Sequence, residues 1–133
     1  CPFAAHIRKS NPRNDVPAGE ERVKHLLRRH NMPYGPEVND DERANGTTEI
    51  RGLHLCCYQS SIERGFRFVQ TAWYNGPTFP PGKPIEPGWD PVMGQTGKPD
   101  VHRYMSGVDP ANPKHVTSFL ERFVDPRGGE YFF

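Results

Sequence analysis

The sequence has 133 residues, of which 34% are hydrophobic, and its 17 basic and 16 acidic residues are mixed along the chain to give a net charge of +1. This balance offers no electrostatic footprint for nucleic acid or an anionic membrane surface, and no apolar run reaches the roughly 18 residues that a membrane-spanning helix needs. Because 15 prolines and 13 glycines interrupt the chain, we expect one domain in which loops cover a modest scaffold.

The first half of the chain contains two candidate strands. Residues 23–29 are compatible with a helix or a strand, and the abrupt stop at Met32-Pro33-Tyr34-Gly35 favours the strand. In residues 50–58, Leu53, Leu55 and Cys57 alternate with other residues at period two, which predicts a strand with two different faces.

One helix is predicted directly after the second candidate strand. Ser60 and Glu63 have the spacing of a capping box, and Ile62, Phe66, Val69 and Trp73 then recur at helical spacing, ending at Asn75-Gly76-Pro77. Residues 76–115 are predicted to be largely irregular, and short extended pieces are expected at 123–124 and 130–133. Together these elements predict an α+β fold with helices on one face of an antiparallel sheet.

Two short segments carry candidate chemistry. His6 follows the small pair Ala4-Ala5 and precedes Arg8 and Arg13, and a neutral imidazole beside cations is what an iron porphyrin with two propionates would need. A histidine taken alone is more often structural. Asn45-Gly46-Thr47 is an N-glycosylation sequon, which matters only if the protein is secreted.

The first segment resembles the proximal-histidine region of the dye-decolorizing peroxidases, especially their fungal members. The resemblance starts with CPFAAHIRKSNPR and continues in the family's order over nearly the whole chain with RRHNMPYGPE, GLHLCCYQSSIERGFRFVQTAW, GWDPVMGQ and FVDPRGGEYFF. It implies the second of two ferredoxin-like α+β domains of a dimeric α+β barrel-like peroxidase, with a four-stranded antiparallel sheet. The chain, residues 1–133, would be the C-terminal haem-ligating half of a longer polypeptide whose N-terminal domain is absent. The start at Cys1, without Met or a signal peptide, agrees with that expectation.

The resemblance also implies roles for individual residues. His6 would be the axial ligand of a haem b iron. Asp90 would accept a hydrogen bond from its other ring nitrogen, unless it only caps the turn before Pro91, and Asp100 is the second candidate for that partner. Arg29 would bind peroxide on the open face of the haem, although Arg28 is adjacent and a register error of one residue is possible.

Further residues would complete the pocket. Asn31 resembles a polar residue beside the distal arginine, and Leu53 and Leu55 would form an apolar ceiling or simply belong to the core. Arg13, and Arg8 unless it is a plain surface residue, would bind the haem propionates. Tyr34 and Trp73 match positions that relay electrons from bulky substrates, but core packing is the preferred interpretation of Trp73.

The function implied by the resemblance is oxidation of dyes, phenols and related aromatic donors by hydrogen peroxide. The family's acid-base aspartate lies in a GxxDG motif that this sequence lacks, so the N-terminal half would have to supply it. The alternatives are a haem carrier without turnover and an interaction domain without haem. An extracellular location is favoured, while the physiological reductant and the oligomeric state stay undetermined.

Overall fold

The fold consists of short helices and short antiparallel strands, and the computed structural model describes residues 1–97, 103–119 and 123–132. The helices are α1 (His6–Ser10), α2 (Glu20–Val23), α3 (Asp40–Asn45) and α4 (Phe66–Phe68), which continues as a π-helix over Val69–Tyr74. The strands are β1 (Arg28–Arg29), β2 (Met32–Tyr34), β3 (Gly52–His54), β4 (Cys57–Tyr58), β5 (Arg103–Ser106) and β6 (Val116–Phe119). A single 3₁₀ turn covers Arg13–Asp15.

The strands pair as β1 with β4, β2 with β3 and β5 with β6, all antiparallel. The pairs β1–β4 and β2–β3 connect the same two segments of the chain, residues 28–34 and 52–58. Between the two pairs, the His30 amide donates a hydrogen bond to the Cys56 carbonyl (2.7 Å). The predicted α+β class with antiparallel strands is confirmed. In the described part of the chain, however, the strands form three two-stranded sheets and not one four-stranded sheet.

Two of the predicted elements are divided differently. Residues 23–29 contain the end of α2 and then β1, so both the helical and the extended interpretation hold for part of the segment. The strand predicted over residues 50–58 is interrupted between β3 and β4, because the two halves pair with different partners.

The predicted helix begins later than its capping-box pattern indicates. The Ser61 hydroxyl accepts from the Arg64 amide (3.3 Å), so this serine closes a preceding turn, whereas the helix begins at Phe66. The Gln59 side chain accepts from the Phe66 amide (2.6 Å) and thereby satisfies a backbone donor that the first turn leaves free.

The C-terminal strands also differ from the prediction. Strand β5 lies inside the segment expected to be irregular, and β6 begins directly after it. Residues 123–124 and 130–132, which were expected to be extended pieces, contain no strand. Prolines and glycines on both sides of residues 103–106 favoured the irregular interpretation of this segment.

The core is small and aromatic. Val69, Trp73 and Tyr74 are buried on one side of the π-helix, and Trp73 stacks on Phe79 with ring centroids 5.1 Å apart. Helix α1 packs against this π-helix. No helix among the described residues is long and apolar enough to cross a bilayer.

A buried lysine fastens α1 to the end of the π-helix. Lys9 Nζ donates to the carbonyls of Trp73 (3.0 Å) and Gly76 (2.7 Å), which lie at and just beyond the end of the π-helix. Burial lowers the pKa of Lys9 to about 8, against the opposing charges of Asp90 and Glu86. Both hydrogen bonds of Lys9 Nζ are thus made to backbone oxygens. This contact fixes the orientation of α1, and therefore of His6 at its first turn.

Candidate functional site

The centre of the candidate site is a hydrogen bond between His6 and Asp90. His6 Nδ1 lies 2.7 Å from Asp90 Oδ2, across 84 residues of sequence. The Asp90 side chain is 0% exposed, while that of His6 is 35% exposed. Because a carboxylate accepts, Nδ1 carries the proton, and Nε2 keeps the lone pair that a metal ion would bind.

The chain holds Asp90 in place from several sides. Its second oxygen, Oδ1, accepts from the amides of Val92 (2.8 Å) and Met93 (2.9 Å), and its own amide donates to the Tyr74 carbonyl (2.9 Å). Asp90 therefore caps the turn before Pro91 and also binds His6, one oxygen for each task. Asp90 makes both of the contacts that the sequence offered as alternatives, and its role as the partner of a haem ligand stays a prediction. Asp100, the second candidate, lies outside the described residues.

Two residues that the sequence analysis missed lie beside His6. The Ser10 hydroxyl donates to the His6 carbonyl (2.6 Å) and lies 3.4 Å from His6 Nε2, and the Tyr74 hydroxyl donates to Ser10 Oγ (3.3 Å). The rings of His6 and Tyr74 are 5.3 Å apart. Ser10 stands four residues after His6, on the same helix face, and this spacing is the signal that could have identified it.

The predicted distal arginine lies on β1, where Arg29 pairs with Cys57 and Arg28 with Tyr58. Burial raises the pKa of Tyr74, and the Ser10 hydroxyl and the positive charge of Arg29 oppose that effect. Since successive side chains of a strand point to opposite faces, only one of the two arginines can face the haem, and the choice of Arg29 stays a prediction.

The two arginines proposed for the propionates have different surroundings. Arg8 donates to both carboxylate oxygens of Asp15 (2.6 and 2.8 Å) and to the Cys1 carbonyl (2.8 Å), so its guanidinium is largely engaged. Arg13 is exposed, with a positive φ of 44°, and within the described residues its side chain makes no hydrogen bond or ion pair. Both border a cavity of about 370 Å³ together with Ile7.

The other predicted pocket residues are all exposed. Asn31 is exposed between β1 and β2, and Leu53 and Leu55 are exposed on and just after β3. Neither leucine is a core residue in the described part of the chain, so the simple core interpretation is wrong. They stay predictions as pocket residues.

The two predicted relay residues also differ. Tyr34 is half exposed, and its ring lies against Gly52, where an added Cβ would clash with the phenol oxygen. Trp73 is 5% exposed and packs against Phe79 and the edge of His25, so core packing is confirmed.

The donor set suits a haem iron better than a free metal ion. A haem needs one axial imidazole with a fixed tautomer, and His6 backed by Asp90 provides it. A free ion would need several protein ligands, and the described residues hold no cluster of three or more His, Cys, Asp or Glu side chains. The residues present therefore fit the group that the resemblance implies.

Comparison with known proteins shows which enzymes the chain is similar to. No family model matches the sequence. The chain is 46% identical over its full length to a dye-decolorizing peroxidase of Exidia glandulosa, 43% identical to dye-decolorizing peroxidase AauDyP1 of Auricularia auricula-judae, and 38% identical to the multifunctional dye peroxidase DyP2 of an Amycolatopsis strain. It spans only 25% to 30% of the length of these relatives, less than the half expected from the sequence.

Solved structures agree with the sequence comparison. An ancestral D-type dye-decolorizing peroxidase superimposes on 96% of the chain with a TM-score of 0.87 and 48% identity, and the chain covers 29% of it. The peroxidase from Auricularia auricula-judae superimposes on 97% of the chain with a TM-score of 0.82 and 38% identity, the chain covering 30% of it. The resemblance inferred from the sequence is thus confirmed: this chain corresponds, over its full length, to one part of the dye-decolorizing peroxidases, a family of enzymes.

Proposed function

We propose that the chain is the C-terminal haem-ligating part of a peroxidase that oxidises dyes, phenols and related aromatic donors with hydrogen peroxide. The observation that carries the proposal is the 2.7 Å hydrogen bond between His6 Nδ1 and the fully buried Asp90 carboxylate. The likeness to peroxidases over the whole chain supports it.

His6 would hold haem b through Nε2, and the haem would supply the redox chemistry by which peroxide is reduced and the donor oxidised. Asp90 would keep the proton of the imidazole on Nδ1 and increase the electron donation from Nε2. Its own orientation is secured by the two backbone amides bound to Oδ1, so the pair is arranged before any ligand binds. Asp90 is thus proposed as a positioning residue.

Arg29 would bind and orient peroxide on the other face. A guanidinium keeps its positive charge at every working pH, so it can stabilise negative charge that develops on a departing oxygen. Asn31, two residues further along, would add a polar contact on the same face, and Leu53 and Leu55 would restrict access. The exposure of the two leucines in the described structure supports a surface that another part of the protein covers.

For the propionates, Arg13 is the stronger candidate because its guanidinium is exposed and unpaired among the described residues, whereas Arg8 is held by Asp15. Arg8 would then mainly fix the loop that carries Arg13. Tyr34, being half exposed, is the better placed of the two relay candidates to meet a bulky donor, and Trp73 would act only through its buried contacts.

The larger protein would supply what this sequence lacks. An acid-base carboxylate from the N-terminal part would move the proton between the two oxygens of peroxide. We also propose that the protein is extracellular, which its likeness to fungal enzymes supports.

The test uses the full-length protein that carries this sequence. His6→Ala should abolish the Soret band of the ferric haem protein, because the axial ligand is lost. Arg29→Leu should retain the haem but lower peroxide-dependent oxidation of an anthraquinone dye by about 100-fold or more, the usual cost of losing one preorganised charge-stabilising donor.

Arg28→Leu is the matched control, because it removes the same charge from the adjacent position of β1. An unchanged Soret band in His6→Ala would contradict the ligand assignment. Haem binding without peroxide-dependent turnover in the wild-type protein would identify a carrier, and purified protein without iron or porphyrin would identify a domain of another function.

A further inference from the structure

A candidate modification site lies at the C-terminal end of α3, between β2 and β3. The sequence contains a single Asn-X-Ser/Thr triplet without proline, Asn45-Gly46-Thr47, which starts at the last residue of α3. We propose that Asn45 is N-glycosylated as the protein passes through the secretory pathway. The proposal rests on the extracellular location inferred above.

The triplet is accessible along its whole length. Asn45, Gly46 and Thr47 are all exposed, and nothing lies within 4 Å of a Cβ built on Gly46. Gly46 has a φ of +96°, which turns the chain away from the helix axis at this point. The acceptor amide is therefore at a corner where the helix ends, and not on a packed helix face.

The local contacts can accommodate a glycan. Asn45 Nδ2 donates to Asp41 Oδ1 (2.7 Å), and an amide nitrogen that carries a sugar still has one hydrogen to donate. The helix itself is stabilised independently: Asn39 and Glu42 form a capping box, and the buried Glu42 carboxylate binds Arg51 Nη2 (2.6 Å). Glycosylation at Asn45 thus requires no rearrangement of α3.

The surroundings are also polar, in contrast to the adjacent strands. From Asn39 to Glu49, Ala44 is the only hydrophobic residue, whereas β2 and β3 expose Met32, Tyr34 and Leu53. A partner segment would bury those apolar side chains first, because burial of apolar surface drives association. A hydrophilic glycan at Asn45 would remain in water without blocking that contact.

The transfer is a substitution without a redox step. Asn45 Nδ2 forms a bond to the anomeric carbon of an oligosaccharide, and the bond from that carbon to the phosphate of a polyprenyl-diphosphate donor breaks. The diphosphate leaves with the electron pair of the broken bond, and the amide releases one proton. The enzyme would be a lumenal oligosaccharyltransferase, which reads the Thr47 hydroxyl two residues after the acceptor.

To test the proposal, the full-length protein is expressed in yeast with a heterologous secretion leader at its N-terminus. A C-terminal tag carries its own accessible sequon. Trypsin cleaves after Arg43 and Arg51 and so releases residues 44–51, a peptide whose only asparagine is Asn45. Treatment with a peptide N-glycosidase in heavy-oxygen water should convert this asparagine to labelled aspartate. Thr47→Ala should lower the label to the level of a sample incubated without the glycosidase, which measures spontaneous deamidation of Asn45-Gly46, and Thr47→Ser should retain the full label.

A peptide 44–51 whose label does not exceed that of the enzyme-free sample, in molecules whose tag is glycosylated, would overturn the proposal. A label above that level in Thr47→Ala would overturn it as well. Dye oxidation is measured on the same preparations. Its absence would count against the proposed peroxidase function and not against the modification, because the leader sends the chain to the lumen in either case.

Discussion

Replacement of Asp90 by asparagine should separate the two tasks of this side chain. The oxygen of asparagine can still accept from the amides of Val92 and Met93, which bind Asp90 Oδ1 at 2.8 and 2.9 Å. The amide nitrogen then faces His6 Nδ1, and two donors oppose each other. The imidazole can relieve this conflict only by moving its proton to Nε2, the atom that would bind iron.

The magnitude follows from the contact that is lost. A hydrogen bond to a charged group contributes about 1.5–3 kcal/mol net. Loss of an outer-shell partner typically lowers metal affinity by about 10–100-fold, which is about 1.4–2.8 kcal/mol at 1.4 kcal/mol per factor of ten. The two estimates agree, so we expect Asp90→Asn to release haem about 10–100 times faster than the wild type.

The assay mixes the ferric full-length protein with excess apomyoglobin and follows the transfer of haem by its absorbance. Asp40→Asn is the matched control, because the Asp40 side chain is 103% exposed and caps nothing near His6. The iron reduction potential should rise in Asp90→Asn and not in the control. Equal haem-release rates and equal potentials in wild type and Asp90→Asn would refute the reasoning, provided that both proteins unfold at similar urea concentrations.

Two predictions concern stability. Hydrogen bonding from Arg8, helped by Lys83 and opposed by burial, lowers the pKa of Asp15 from 3.8 to about 2, so its ion pairs contribute fully above about pH 4 and are lost as the pH falls through 2. At 1.36 kcal/mol per pKa unit, the lowered pKa of Asp15 corresponds to about 2 kcal/mol of unfolding free energy. The unfolding free energies of wild type and Asp15→Asn, measured by urea titration, should differ by that amount at pH 6 and converge near pH 2. A difference that does not change with pH would contradict the linkage. Trp73→Ala should cost about 3–5 kcal/mol of unfolding free energy, because the ring is 5% exposed. Tyr58→Ala, at a site 69% exposed, should cost far less in the same chemical denaturation. Equal costs would show that Trp73 is not a core residue.

Much of the candidate site could be predicted because its residues lie in motifs that are local in sequence. His6 stands in one such motif and Asp90 in another, and the resemblance named both. The α+β class followed from period-two and helical patterns of the same short range. The predicted helical stripe depends only on residues close in sequence, and its members Val69 and Trp73 are buried as expected.

The tertiary structure decided what depends on partners far along the chain. His6 and Asp90 are 84 residues apart, and the loop that follows the π-helix brings them together because the Asp90 amide binds the Tyr74 carbonyl. Likewise, Lys9 lies in a basic stretch of the sequence, and its burial is favourable because it binds the carbonyls of Trp73 and Gly76. The sequence by itself determined which side chains are available for chemistry and the class of fold. Their hydrogen-bond partners were decided by packing between distant segments, since a buried polar group must find its partner wherever the fold brings one.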